Sequence, residues 1–157
     1  MTYSHVTSTA APTSSSTHDS QAPKLIDARG PRFGAAVTSL ILASALLTHS
    51  TPLVVISLAF FLIGSFFGPQ FTPQGLIFNK VVKPLLKGEV VKEDIRPPRF
   101  AQQVGLLFTT VAVVAGLASW SGLFLVAVSA CLAAATLNAL FNFCLGCEIY
   151  LLIARLR

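Results

Sequence analysis

Four apolar runs order this chain, separated by short polar breaks. The first covers about residues 33–47 and ends at Thr48-His49-Ser50-Thr51. The second covers about 52–67 and stops at Gly68-Pro69. The third runs from about 100 to 119, Trp120-Ser121-Gly122 turns the chain, and the fourth runs from about 123 to 143. Each is roughly 15–21 residues, close to the ~20 that a helix needs to cross a ~30 Å hydrocarbon core. The first two are short enough to form one re-entrant hairpin, but Thr48 to Thr51 is polar enough to sit in an interface. The pattern predicts an all-α polytopic membrane protein, a bundle of four transmembrane helices over residues 25–157. Residues 1–24, rich in Ser, Thr, Ala and Pro, carry no apolar run and read as a disordered tail. A secretory signal would need an apolar core near Met1, and none is there.

A heptad recurs. Asp27-Ala28-Arg29-Gly30-Pro31-Arg32-Phe33 precedes the first run, and Asp94-Ile95-Arg96-Pro97-Pro98-Arg99-Phe100 precedes the third. Both read D-x-R-x-P-R-F and open a helical hairpin. Pro suits a first helical turn and Arg anchors at headgroups. The repeat points to two parallel helical hairpins about an axis along the membrane normal. Gly68-Pro69-Gln70-Phe71-Thr72-Pro73 then corresponds to the region of Phe143 to Cys147. Each is followed by a short interfacial helix, from Gly75 to Lys83 in the first half and from Glu148 to Arg157 in the second. In the former Lys80, Lys83 and Lys87 share one face, Phe78, Val81, Val82 and Leu85 another, and Pro84 should kink or end it.

Composition sharpens this picture: 54% of residues are hydrophobic and 11% charged, against roughly 25% charged in soluble domains. With four spans, all cations of the described pattern fall on one side. Lys24, Arg29 and Arg32 precede the first span, Lys80 to Arg99 lie between the second and third, and Arg155 and Arg157 follow the fourth. The positive-inside rule puts that side, with both termini, in the cytoplasm of a cell-membrane protein. The basic balance of +5 therefore reflects topology and is no argument for nucleic acid. Lys80, Lys83 and Lys87 are the candidate contacts for anionic lipid or a docking partner.

Small residues at four-residue spacing (Ala35, Ser39 and Ala43; Gly64 and Gly68; Ala112 and Gly116; Ala130 and Ala134) suit close helix approach. Asn138 and Asn142 should both face protein, for interhelical hydrogen bonding or, at Asn142, to orient nearby thiols. No His, Asp or Glu lies within a span, which argues against a proton-coupled transporter. No quinone or flavin site can be read from the sequence.

Candidate chemistry is confined to Cys144-Leu145-Gly146-Cys147, the catalytic pair if the protein has one. The spacing allows a disulfide, a two-thiolate metal clamp, or half of a four-cysteine site. Glu148 follows in place of the His of a haem-attachment sequence, and a closed metal site would need the same motif from a second copy, in a homodimer. A helix break at Asn142–Phe143 would put Cys144 at a helix N-terminus, where unpaired N–H groups favour a thiolate; Glu148 opposes this slightly. Cys131, alone in mid-span, reads as packing.

Ile26–Phe33, Pro97–Gln102, Leu137–Ala139 and Phe143–Tyr150 together resemble the bacterial domain-of-unknown-function 4395 family, over about residues 24–157. The C-terminal motif is its most specific part. The resemblance implies an integral membrane protein of a kind common in actinobacteria. It also implies a genomic neighbourhood of thioredoxin-like and rhodanese-like sulfurtransferase proteins, which suits a thiol role. The expectation is a membrane thiol protein in which Cys144 attacks and Cys147 resolves, exchanging disulfides or carrying sulfur with such a partner. A non-enzymatic scaffold with a basic cytoplasmic loop, and metal binding across a homodimer, are the competing readings.

Overall fold

The computed structural model describes residues 24–157; the tail expected over residues 1–24 lies, Lys24 apart, outside the described residues. A three-residue strand β1 (Leu25–Asp27) leads into α1 (Arg29–Thr48), and α2 (Thr51–Phe66) follows after a tight turn. A 3-10 turn (Pro69–Phe71), α3 (Pro73–Ile77), a π turn (Phe78–Val82) and α4 (Lys83–Leu85) form an arm. Strand β2 (Lys92–Asp94) leads into α5 (Arg96–Leu117), followed by α6 (Ser121–Phe141) and α7 (Leu145–Leu156). α1, α5 and α6 are long and apolar enough to cross a membrane, and α2 is a shorter apolar helix.

The helices form a ring. α1 packs on α2 and α6, and α5 packs on α2 and α6, while α3 lies against α1 and α7 against α5. The core is built from small and medium side chains: Leu42, Ala45, Val54, Ala112, Ala115, Ala127 and Val128 are buried with Phe124 and Cys131. Large apolar side chains instead point outward, among them Leu40 (71% exposed), Phe66, Leu107, Val126 and Leu140. Soluble monomers rarely expose contiguous apolar surface on this scale; a lipid surround makes it stable. Six helix hydroxyls are satisfied locally, as lipid favours, while Ser57 and Ser65 of α2 are buried without a partner among the described residues. Ser39, Ser44, Thr48, Thr109, Thr110 and Thr136 each donate to the carbonyl four residues back at 2.7–2.8 Å.

The two heptads meet in space, which the apolar pattern did not reveal. β1 and β2 pair antiparallel, with Leu25 opposite Asp94, Ile26 opposite Glu93 and Asp27 opposite Lys92. Ala28 N–H donates to Val91 O at 2.9 Å, and Ile95 N–H donates to Lys24 O at 3.1 Å. Asp27 Oδ1 accepts from Arg29 N–H, and Asp94 Oδ1 accepts from Arg96 N–H, both at 3.0 Å. The Asp of D-x-R thus satisfies one of the orphan donors at each helix start. Both long helices begin about four residues before the apolar run, because Gly30-Pro31 and Pro97-Pro98 fit a first turn, where a missing N–H costs nothing.

At the far end, His49 (φ 49°) and Ser119 (φ 57°) carry the left-handed residues of the two inter-helix turns. The His49 and Phe124 rings stack at 6.5 Å, so these turns are neighbours. The ribbon, the arm and α7 all gather at the opposite end. There Arg99 donates to Ser65 O and Phe66 O, each at 2.7 Å, capping α2.

Candidate functional site

Cys144 sits where α6 hands over to α7. Asn142 closes α6 in the left-handed region at φ 55°, a conformation that Asn tolerates better than most residues. Its side chain is exposed, which corrects the expectation that Asn142 faces protein; it acts through its backbone. Cys144 is the N-cap of α7, with extended backbone (φ −89°, ψ 98°), and its Sγ accepts from Cys147 N–H at 3.3 Å. Glu148 N–H donates to Cys144 O at 3.0 Å, closing the first turn. Cys144 and Cys147 are joined as a disulfide, their Cα atoms 5.1 Å apart. That separation lies inside the span a disulfide requires, and one helical turn supplies it.

What holds this turn is α5. Gly146 is buried against Ala101: a Cβ added at Gly146 would stand 2.6 Å from Ala101 Cα and 2.7 Å from Ala101 Cβ. The Phe100 and Tyr150 rings pack one turn further on, with centroids 5.8 Å apart. Glu148 in the first turn and Arg155 in the last complement the α7 dipole. The first half has a counterpart in Thr72, the N-cap of α3, whose Oγ1 accepts from Gly75 N–H at 3.1 Å. A hydroxyl there occupies the position of the Cys144 sulfur.

Between the two caps the ring of helices opens. Residues of α1, α2, α3, α5, α6 and α7 line a cavity of about 380 Å³. Thr38, Thr72, Gln74, Gln102 and Asn138 give it its polar groups, and Cys131 and Cys144 its sulfurs. Among the described residues no charged side chain lines it. Gln74 is buried and its Nε2 donates to Thr38 Oγ1 at 3.1 Å. The Gln102 carboxamide lies against Gly64, where a Cβ would stand 2.6 Å from Oε1. Ala130 and Ala134, expected as a helix-contact pair, line this space as well. Sequence reasoning missed Thr38, Gln74 and Gln102. The available signal was three uncharged polar side chains, Thr38 in the middle of α1, Gln74 in the first turn of α3 and Gln102 in the second turn of α5.

Lys80, Lys83 and Lys87 are all exposed, and none lines the cavity. Their arm is less cleanly two-faced than expected. Phe78 is buried against Phe33 (centroids 5.9 Å apart) and Val82 is half-buried, but Val81 and Leu85 are exposed. The π turn over Phe78–Val82 explains this. Pro84 has no N–H and its ring crowds the carbonyl four residues back, so the helix widens before it and the faces slip. The arm ends at Leu85, one residue past Pro84. Cys131 is buried and unpaired with any other cysteine. Among the described residues, no three His, Cys, Asp or Glu side chains cluster as a metal site would require.

Of known families, one described as a domain of unknown function, DUF4395, matches residues 26–155. No curated protein and no solved structure matches the chain.

Proposed function

The chain belongs to the DUF4395 family, whose description names no activity, and from its own geometry we propose a membrane-embedded thiol protein. Its Cys144–Cys147 pair exchanges disulfides or carries sulfur with a thioredoxin-like or rhodanese-like partner at the cytoplasmic face. The observation that carries this reading is the disulfide across the first turn of α7, with Cys144 as N-cap. The N–H groups of a helix start stabilise a thiolate there. Exchange runs through a mixed disulfide at Cys144, which Cys147 resolves. In a reducing compartment such a bond is transient and belongs to a catalytic cycle.

The membrane arrangement we propose has four spans, α2 included, with the ribbon, the arm and α7 on the cytoplasmic side. Support comes from the gathering of the cation-bearing segments at one end of the bundle, while the two neighbouring turns occupy the other. The two hairpins form a parallel repeat. Shifting the numbering by the distance between the heptads exchanges β1 with β2, so that the ribbon register maps onto itself. The same shift exchanges α1–α6 packing with α2–α5 packing, while α3 on α1 and α7 on α5 hold matching places, with α7 starting about five residues later than the shift would put it.

The test is trapping. In Cys147→Ser, Cys144 should accumulate as a mixed disulfide with a soluble protein, visible on a non-reducing gel, and Cys144→Ser should trap nothing. Resistance of both thiols to alkylation in native membranes, with reaction only after denaturation, would transfer the function to a second reading. That reading is a scaffold, and the exposed Lys80, Lys83 and Lys87 favour it.

A further inference from the structure

Thr38 is not among the helix hydroxyls that back-bond, and unlike Ser57 and Ser65 of α2, which are buried without any partner among the described residues, it faces a cavity. Six helix hydroxyls donate to the carbonyl one turn back. Thr38 is 7% exposed, accepts from Gln74 Nε2, and finds no acceptor for its own proton among the described residues. It lines the cavity, as Gln74 does. A buried donor without an acceptor is costly unless a ligand supplies one. The ligand it asks for carries an acceptor oxygen, is otherwise apolar and bears no charge, since no charged side chain of the described residues lines the space. Its volume of about 380 Å³ falls in the range of sites for small organic molecules. The group lining it that can change oxidation state while forming a bond within this chain is Cys144, the capping half of the pair.

A neutral, lipid-soluble molecule with carbonyl oxygens that accepts two electrons beside a dithiol is a quinone. Resting on the thiol reading above, we propose that the cavity holds a quinone ring and that the Cys144–Cys147 dithiol reduces it. The reaction balances within this pair. Reduced Cys144 and Cys147 lose two electrons and two protons as their S–S bond forms. The quinone takes both electrons and both protons, and its two carbonyl oxygens become hydroxyls. The dithiol of the soluble partner then reopens the bond and leaves as its own disulfide. The Thr38 hydroxyl, held by Gln74, donates to one carbonyl oxygen of the ring and orients it; Thr38 is a binding residue.

The experiment uses the full chain in lipid nanodiscs, reduced, freed of reductant and kept anaerobic. The probe is decylubiquinone, whose fully substituted ring cannot be arylated by thiols. The quinone absorbance should fall by one equivalent per protein while two thiols disappear, and Cys144→Ser should do neither. Gly34→Leu grows into the cavity from a wall where a Cβ meets nothing within 4 Å. It should weaken decylubiquinone binding at least tenfold, with the alkylation rate of Cys144 unchanged. Thr38→Val should weaken binding in the same direction. If the pair exchanges with a small dithiol but the quinone neither binds nor is reduced, the quinone assignment falls and the thiol reading stands. Equal reduction by wild type, Gly34→Leu and Thr38→Val would put transfer outside the cavity and overturn the assignment. Thiols that cannot be alkylated without denaturation overturn both.

Discussion

Replacing Gly146 by alanine adds one methyl group where α7 rests on α5, and replacing Gly34 by alanine adds the same group where α1 faces the cavity. In an ordinary helix either change is favourable by about 0.5–1 kcal/mol, because glycine loses the most backbone entropy on ordering. At Gly34 nothing lies within 4 Å of the new carbon, so that gain should be realised. At Gly146 the new carbon would stand 2.6 Å from Ala101 Cα, where carbons prefer about 3.5–4.0 Å. A backbone atom cannot swing aside, so α7 has to retreat by about 1 Å, and forced overpacking of this kind costs about 1–3 kcal/mol. That is about 5- to 150-fold in the folding equilibrium. Equilibrium unfolding in mixed detergent–lipid micelles, followed by circular dichroism, reads both variants. Gly34→Ala should be more stable than wild type and Gly146→Ala less. If both are stabilised, α7 is not seated on Ala101, and the placement of the cysteine pair beside α5 is wrong.

Two further outcomes test the surroundings of the site. Single cysteines at Ser50 and Ser121, in a chain otherwise free of cysteine, should label from outside intact cells with an impermeant maleimide, and one at Lys87 should not; the opposite pattern inverts the topology. Replacing Lys80, Lys83 and Lys87 together by Gln should weaken association of the arm with vesicles containing anionic lipid, at about 1 kcal/mol per lysine, or about 150-fold in all, measured by co-flotation. Thiol alkylation should be unaffected, and its loss would mean that arm and cysteine pair form one site.

The long helices were readable because lipid-facing runs need only be apolar and long, and the four runs of the sequence match α1, α2, α5 and α6 within a few residues. Cys144 as a helix start was readable for a local reason: Asn142 tolerates the left-handed turn that separates α6 from α7. The ribbon was not readable. Strands of three residues have no measurable alternation, and Lys92-Glu93-Asp94 looks like any solvated loop until Leu25-Ile26-Asp27 is laid beside it. The cavity was hidden for a different reason. Its walls come from helices distant in sequence, and Gly34, Ala130 and Ala134 carry the same small-residue signature whether they meet a neighbouring helix or an empty space. Thr38 and Gln74 lie 36 positions apart, so neither has meaning alone.

The ribbon also sets a timetable for the nascent chain. Asp27 waits for Lys92, about 65 residues later, and at about 5–20 residues per second that interval is about 3–13 s of translation. During it α1 and α2 can already enter the bilayer, but the backbone groups of β1 have no strand to pair with and α1 has no α6 against its inner face. The first hairpin is therefore a provisional structure, held by one helix contact and open along one edge. Emergence of β2 closes that edge and delivers α5 in register at the same moment. A chain stalled between Val91 and Asp94 would remain in that open state, exposed to any other strand that reaches it first.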